Sequence, residues 1–241
     1  MTILVNGASI SAVPNSWPVH LQKQLDRKIV NLSMPACGYT YVQETTIEYI
    51  ADNQVDLVLI MWPEVINRID YKVNSVNTES QWSSFHLGNI HDTHEGVDRT
   101  QGNPNPHIPR DWIHSQGYLE SVANRTEPDS VSQLFHNHYQ VTKYAQSVYH
   151  GIIRMISLQG VLTSMNIPYV FMTVHPLKQQ VRYAHLYKLL NFDNFYTDVY
   201  LYNLCKENKW LDPDNINYPS TIGSNTFAYL LTEHLKKKKY V

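Results

Sequence analysis

Apolar residues in this chain gather into four short, nearly unbroken runs, and the polar positions between them recur with helical spacing. Thr2 to Asn6 is the first run, stopped by Gly7; Lys28 to Met34 is the second, stopped by Pro35 and Gly38. Val55 to Trp62 is the third, and Pro168 to Val174 is the fourth, stopped by Pro176. A short continuous apolar run bounded by turn residues reads as a strand covered on both faces. Pro14 to Leu25 reads as a helix, with Ser16 placed to cap it and Pro18 tolerated in its first turn. Thr40 to Ala51 reads as the next helix. The resulting β-α-β-α-β order predicts an α/β domain built on a parallel sheet with right-handed crossovers.

The rhythm breaks between Asn67 and Pro128, where Asn, His, Ser, Gly and Pro dominate and Trp82 and Trp112 stand among them. A structureless loop of that length is uncommon inside a compact domain, so the segment is expected to be an insertion that wraps the core or serves function. Asp129 to Met165 is a long helical stretch. Leu134, His138, Val141, Ala145, Val148, Ile152, Met155, Ile156, Leu158 and Leu162 recur along it, and Gly151 and Gly160 are its expected weak points. Tyr183 to Leu190, Thr197 to Asn208 and Ser220 to Lys239 complete the helical segments. The expectation is one domain over residues 1–241, with an inserted region at about 67–128.

Composition narrows the function. A formal net charge of −2 argues against a binder driven by phosphate neutralisation, so no nucleic-acid partner is expected. The run Lys236 to Lys239 reads as a solvated helix end that complements the helix dipole. Cys37 and Cys205 match no metal spacing and are expected to be reduced, buried thiols, which fits a cytoplasmic protein. No charged segment precedes an apolar one at the start, and no run approaches the ~18 apolar residues of a membrane helix. Neither a leader nor a membrane partner is therefore expected.

In an open parallel sheet, chemistry gathers outside the carboxyl ends of the strands. Asn6-Gly7-Ala8-Ser9 follows the first strand, Pro35-Ala36-Cys37-Gly38 the second, and Trp62-Pro63-Glu64 the third, with Asn67 and Arg68 close behind. His175 follows the fourth. The lipase elbow Gly-x-Ser-x-Gly is absent, and so are Gly-x-Gly-x-x-Gly and the P-loop. That leaves a flavodoxin-like nucleotide binder as the weakest reading, and no cofactor is expected. His86, His91, Asp92, His94 and Glu95 are metal-ligand types without a metal-ligand spacing, and no metal is expected either. Arg68 is a candidate clamp for a carboxylate or phosphate, or a structural partner for Asp70 or Glu64.

The order and spacing of Ile3 to Ser9, Trp17 to Leu25, Lys28 to Gly38 and Val55 to Trp62 resemble the start of the SGNH (GDSL-like) hydrolases. Ile153 to Thr173, with Leu158-Gln159 and Asn166-Ile167-Pro168-Tyr169, looks like the helix and strand of bacteriophage members. Asp212 to Ser220, followed by Gly223, is similar to the family's Asp-x-x-His-Pro-Ser segment and final helix. The resemblance implies a three-layer α/β/α sandwich with a central parallel sheet. It implies Ser9 as nucleophile, the Gly38 amide as an oxyanion donor, and Asp214 and Tyr218 at the positions of the orienting carboxylate and the base. Asn6, Trp62, Glu64, Asn67, Arg68 and His175 are the expected binding residues around them.

The chain departs from the family's pattern in three places. Ala8 stands where the family has Asp, Trp62-Pro63-Glu64-Val65 replaces Gly-x-Asn-Asp, and Tyr218 replaces the closing His. A phenol, which ordinarily titrates near about 10, is a poor base at neutral pH. The catalytic set is thus degenerate, and His175 or a residue of the insertion is the alternative source of a base. Two functions follow. One is an ester hydrolase, with an acetylated carbohydrate as the expected substrate and a glycan or ester as the partner molecule. The other is an inactive relative that binds a ligand, forms a homo-oligomer or serves with virion proteins.

Overall fold

The structure is a computed structural model and describes residues 1–63, 70–72, 112–114, 130–142, 144–177, 181–216 and 218–241. Its centre is a parallel four-stranded sheet of β1 (Thr2–Gly7), β2 (Lys28–Asn31), β3 (Leu57–Trp62) and β6 (Tyr169–Thr173), in the order β2-β1-β3-β6. The register pairs Thr2 with Lys28, Gly7 with Met61, and Met61 with Met172. Phe171 also pairs in parallel with Phe195, so the chain touches the sheet again beyond β6. From β1 the chain first builds outward to β2 and then returns to place β3 on the other side. The order therefore reverses between β1 and β3, where a crevice opens at the carboxyl ends of such sheets.

The alternation of strand side chains divides the core in two. Leu4, Val58, Ile60, Trp62, Tyr169 and Phe171 point to one face, and Ile3, Val5, Leu57, Leu59, Met61, Val170 and Met172 to the other. Both faces are apolar, which is why the sequence shows unbroken runs instead of alternation. The first face is covered by α3 (Tyr39–Asp52) and α5 (Tyr144–Ser164), through Val42 and Ile50 on one helix and Val148, Ile152, Met155, Leu158 and Leu162 on the other. The second is covered by α2 (Trp17–Leu25), α7 (Leu201–Glu207) and α8 (Thr221–Lys237), through Trp17, Leu21, Leu201, Phe227, Leu231 and Leu235. The three-layer α/β/α arrangement is thereby built. Each large side chain fully withdrawn from water in it contributes about 1.5–3 kcal/mol.

Several boundaries differ from the sequence reading, each for a local reason. The second strand ends at Asn31 and not at Met34. Residues beyond it bend toward β1, with the Leu32 N–H donating to the Val5 carbonyl at 2.8 Å and the Met34 N–H to the Gly7 carbonyl at 3.0 Å. A four-residue helix, α1 (Ser9–Ala12), precedes α2 and is too short to leave a periodic trace. The long helical stretch is two helices, α4 (Ser130–Val141) and α5, which part near Thr142 and not at the glycines. A Cβ built on Gly160 would meet open space, so that glycine sits in the helix without constraint. Among the described side chains of α4, Phe135 is buried, at 0% exposure, while Leu134 is exposed, at 40%.

The segment expected to be an insertion contributes β4 (Asp70–Lys72) and β5 (Trp112–His114), an antiparallel pair in which Asp70 faces His114. Both strands dock on α3. Trp112 is buried and meets the Tyr41 ring edge-on at 5.4 Å, and Asp70 is buried at the start of α3. The short helix α6 (Ala184–Tyr187) lies between β6 and α7. No helix among the described residues is long and apolar enough to cross a membrane.

Candidate active site

Ser9 opens α1 directly beyond the carboxyl end of β1, at the point where the strand order reverses. It is half-buried, and its hydroxyl has no hydrogen-bond partner among the described residues. The platform under it is held from several sides. The Ser11 carbonyl accepts from the Ser16 hydroxyl at 3.0 Å and from Asn31 Nδ2 at 2.8 Å, and the Ser11 hydroxyl accepts from Trp17 Nε1 at 2.9 Å. Buried hydrogen bonds of this kind fix a short helix that propensity alone would not hold. Gly7, just before it, is required by space, because a Cβ there would lie 2.6 Å from the Met61 carbonyl oxygen of β3.

The loop between β2 and α3 closes on the same strand end. The Gly7 carbonyl accepts from the Met34 N–H, and the Cys37 thiol approaches it at 3.4 Å. Within that loop Ala36 has a φ of 64°, a left-handed conformation that costs a residue with a Cβ about 1–2 kcal/mol. Gly38 follows as the N-cap of α3. Its amide does not face open space. It donates to Asp70 Oδ1 at 2.8 Å, while the Tyr41 amide donates to Asp70 Oδ2 at 2.9 Å. The Gly38 amide, expected as an oxyanion donor, is thus engaged by a buried internal carboxylate in this structure.

Two expected binding residues turn inward. Asn6 is fully buried, and its Nδ2 lies 2.9 Å from Thr45 Oγ1, 3.0 Å from Thr46 Oγ1 and 3.2 Å from the Val42 carbonyl, all on α3. Its Oδ1 accepts from the Gly7 N–H at 2.8 Å. It is a brace between β1 and α3 and not a ligand contact, since strand alternation sends it into the core. Trp62 is also fully buried, stacked on Tyr39 at 5.0 Å and edge-on to Phe171 at 5.4 Å. Its Nε1 has no hydrogen-bond partner among the described residues, and the ring contacts are packing contacts. Glu64, Asn67 and Arg68 lie outside the described residues, as do His86, His91, Asp92, His94 and Glu95.

Tyr218 and Asp214 belong to a small closed loop before α8. Asp212 N–H donates to the Tyr218 carbonyl at 2.8 Å, Tyr218 N–H to the Asn215 carbonyl at 2.9 Å, and Ser220 N–H to the Trp210 carbonyl at 2.8 Å. Ser220 then caps α8 by accepting from Gly223 N–H. The far end of α8 is tied to the amino edge of the sheet, where Tyr240 meets Asn194 and Lys238 meets the Asp193 carbonyl, just before the Phe195 bridge. A helix of 17 residues rises about 25 Å, which carries Tyr218 to the carboxyl edge shared by Ser9. Tyr218 is half-buried, and Asp214 is exposed with its amide on the Asp212 carboxylate at 2.9 Å. Neither makes a hydrogen bond to Ser9.

His175 stands just past β6 at the same edge. Its Nδ1 is 3.2 Å from Asn203 Oδ1, and its ring meets Tyr202 at 4.8 Å. No group of metal-ligating side chains is found among the described residues.

The residues that sequence reasoning did not place are Asp70, Thr45, Thr46, Ser11 and Asn31. Two adjacent threonines on the inward side of an apolar helix were a readable sign of a buried polar partner. Asp70 had no such sign, because helix caps ordinarily lie next to the helix they cap, and this one is 32 residues from Gly38.

No known protein family matches the chain, and no curated protein matches its sequence. Among solved structures, the chain is similar to the psychrotrophic esterase EstA from Pseudoalteromonas sp., solved in a form inhibited by monoethylphosphonate. That match has 11% identity and a TM-score of 0.52, over 100% of this chain and 99% of that one. Also similar are a Desulfitobacterium hafniense protein assigned to the lipolytic G-D-S-L family and the acetyl xylan esterase AlAXEase. The first has 12% identity and a TM-score of 0.35, over 96% of this chain and 98% of that one. The second has 11% identity and a TM-score of 0.44, over 98% and 100%. The EstA likeness carries the fold: this chain has the SGNH-like α/β fold, with its parallel sheet flanked by helices on both faces.

Proposed function

We propose that the protein is an SGNH-type ester hydrolase with Ser9 as its nucleophile. The observation that carries this reading is the placement of Ser9. It is a half-exposed serine with an uncommitted hydroxyl, held on a braced turn at the switch point of a sheet whose fold is that of an esterase. An acyl ester of a small group, such as an acetylated sugar, is the substrate class we propose. His175 is the base we favour over Tyr218, because imidazole as a side-chain type is a better proton acceptor than a phenol and Asn203 holds this ring in place. It stands past β6, two strand spacings from β1 in the plane of the sheet, about 10 Å.

The test is hydrolysis of p-nitrophenyl acetate by the purified chain. Ser9→Ala is expected to abolish the enzyme-dependent rate, and His175→Ala to lower it by on the order of a hundredfold or more. Tyr218→Phe is expected to keep most of it. Equal rates for the parent and Ser9→Ala would end the reading. A second reading, a binding protein without catalysis, is favoured by one specific observation, the Asp70 carboxylate on the Gly38 amide. It predicts no Ser9-dependent hydrolysis at all.

A further inference from the structure

We propose that Asn31 is a positioning residue of the Ser9 turn, a carboxamide that ties α1 to the end of β2 and so fixes how the Ser9 hydroxyl is presented. This rests on the proposed ester hydrolysis for its effect on reactivity, and on the hydrogen bonds alone for the tie itself. Asn31 is the last residue of β2 and lies beside Val5 of β1. Val30 joins the core on the α3 and α5 side and Ile29 packs on the opposite side, so alternation sends the Asn31 side chain to the face that carries α1 and α2. The neighbouring positions on that face, Ile3, Val5 and Ile29, are apolar. Asn is a poor strand former, and the sheet itself has no need of a carboxamide there. Both ends of the group reach out of the strand. Nδ2 donates to the Ser11 carbonyl at 2.8 Å, and Oδ1 accepts from the Ser33 N–H at 3.0 Å. The side chain thus clasps the turn after β1 and the loop after β2 together.

Ser11 shares a single helical turn with Ser9. The Ser11 N–H donates to the Ala8 carbonyl at 2.9 Å, and the Val13 N–H to the Ser9 carbonyl at 3.1 Å. A helix of four residues does not hold its own geometry, so whatever grips Ser11 decides where Ser9 stands. Ser11 is fully buried and is gripped at both its carbonyl and its hydroxyl. Ser16 and Trp17 belong to the chain just beyond α1 and can shift together with it. Asn31 belongs to the sheet and cannot. A reacting group displaced by about 1 Å can lose on the order of a hundredfold in rate, so a tie to a rigid strand matters more to reactivity than its single hydrogen bond does to stability.

The experiment compares the parent chain with Asn31→Asp, which keeps the shape and still accepts from the Ser33 N–H but sets an oxygen against the Ser11 carbonyl. Hydrogen exchange at the Ser11 and Val13 amides is expected to be on the order of tenfold faster in the variant, with the β3 amides unchanged. Fluorophosphonate labelling of Ser9 is expected to slow by on the order of tenfold or more, and kcat for p-nitrophenyl acetate to fall with it, while KM stays within about twofold. Thr232→Val, which removes the bonds of the Thr232 hydroxyl to the Ala228 carbonyl and Gln24 Oε1, controls for lost stability and should leave labelling unchanged. Should Asn31→Asp not fold, Asn31→Ala, which drops both bonds without adding a charge, should show the same changes. Unchanged exchange in α1 of a folded variant would overturn the tie. Faster exchange with labelling and kcat equal to an active parent's, or an equal loss of labelling in Thr232→Val, would overturn the positioning role. If neither parent nor variant is labelled or hydrolyses the ester, the esterase reading fails, and exchange alone still decides whether Asn31 holds the turn.

Discussion

Asn6 shows how one buried side chain can position a site without touching a ligand. Its carboxamide joins the last turn of β1 to Thr45, Thr46 and Val42 on α3, so it sets the distance between Ser9 and the start of α3. Asn6→Ala should cost about 1–3 kcal/mol in urea denaturation, because it leaves buried acceptors without their donor. Asn6→Asp should cost more, since a carboxylate cannot donate to the Val42 carbonyl. Equal stability of the parent and Asn6→Asp would contradict this account. Gly7→Ala should be worse than either, because backbone of β3, not a movable side chain, lies 2.6 Å from the added carbon. Ala36→Gly should go the other way, toward higher stability by up to about 1 kcal/mol, as the left-handed strain is relieved. From sequence, Ser9 and Gly38 were legible because they follow strand ends. The enclosure of Asn6 and Trp62 was not, because alternation assigns each to a face of the sheet but not to what packs on that face, here α3 with Thr45, Thr46 and Tyr39.

At the scale of elements, the apolar runs located every strand of the central sheet. Their continuity is the direct imprint of helices on both faces, as Leu57 to Trp62 shows with no exposed residue among its six. The division of the stretch from Asp129 to Met165 into α4 and α5 was not readable, because glycine signals pointed elsewhere and Gly160 sits freely in its helix. The helices also carry a pH response. His20 on α2 and His234 on α8 are held below the ordinary imidazole value, in both cases chiefly by burial; Lys23 adds to the effect on His20. For His234 the Asp198 carboxylate opposes that shift, and Lys238 and Lys237 add to it. A lowered folded value means the unfolded chain takes up protons first as the pH falls through the ordinary value of 6.5. Stability from these two groups is therefore present above that value and lost below it. Thermal midpoints measured between about pH 7.5 and 5 should fall, and His20→Gln with His234→Gln should flatten the fall. A double variant with an unchanged slope would contradict the assignment.

Across the whole molecule, the strand order β2-β1-β3-β6 determines where chemistry can occur. It brings Ser9, the α3 start, His175 and the loop holding Tyr218 to one edge of the sheet. The parallel order was legible from the succession of strands and helices. The docking of β4 and β5 on α3 was not, because it depends on contacts between residues far apart in sequence, Asp70 with Gly38 and Trp112 with Tyr41. The proposed hydrolysis requires Ser9 to be a reactive nucleophile. A fluorophosphonate probe followed by intact mass and peptide mapping reads that directly. The predicted result is a single adduct on Ser9, absent in Ser9→Ala. A folded parent chain that stays unmodified under conditions that label a known serine esterase, or an adduct on another residue, would contradict it.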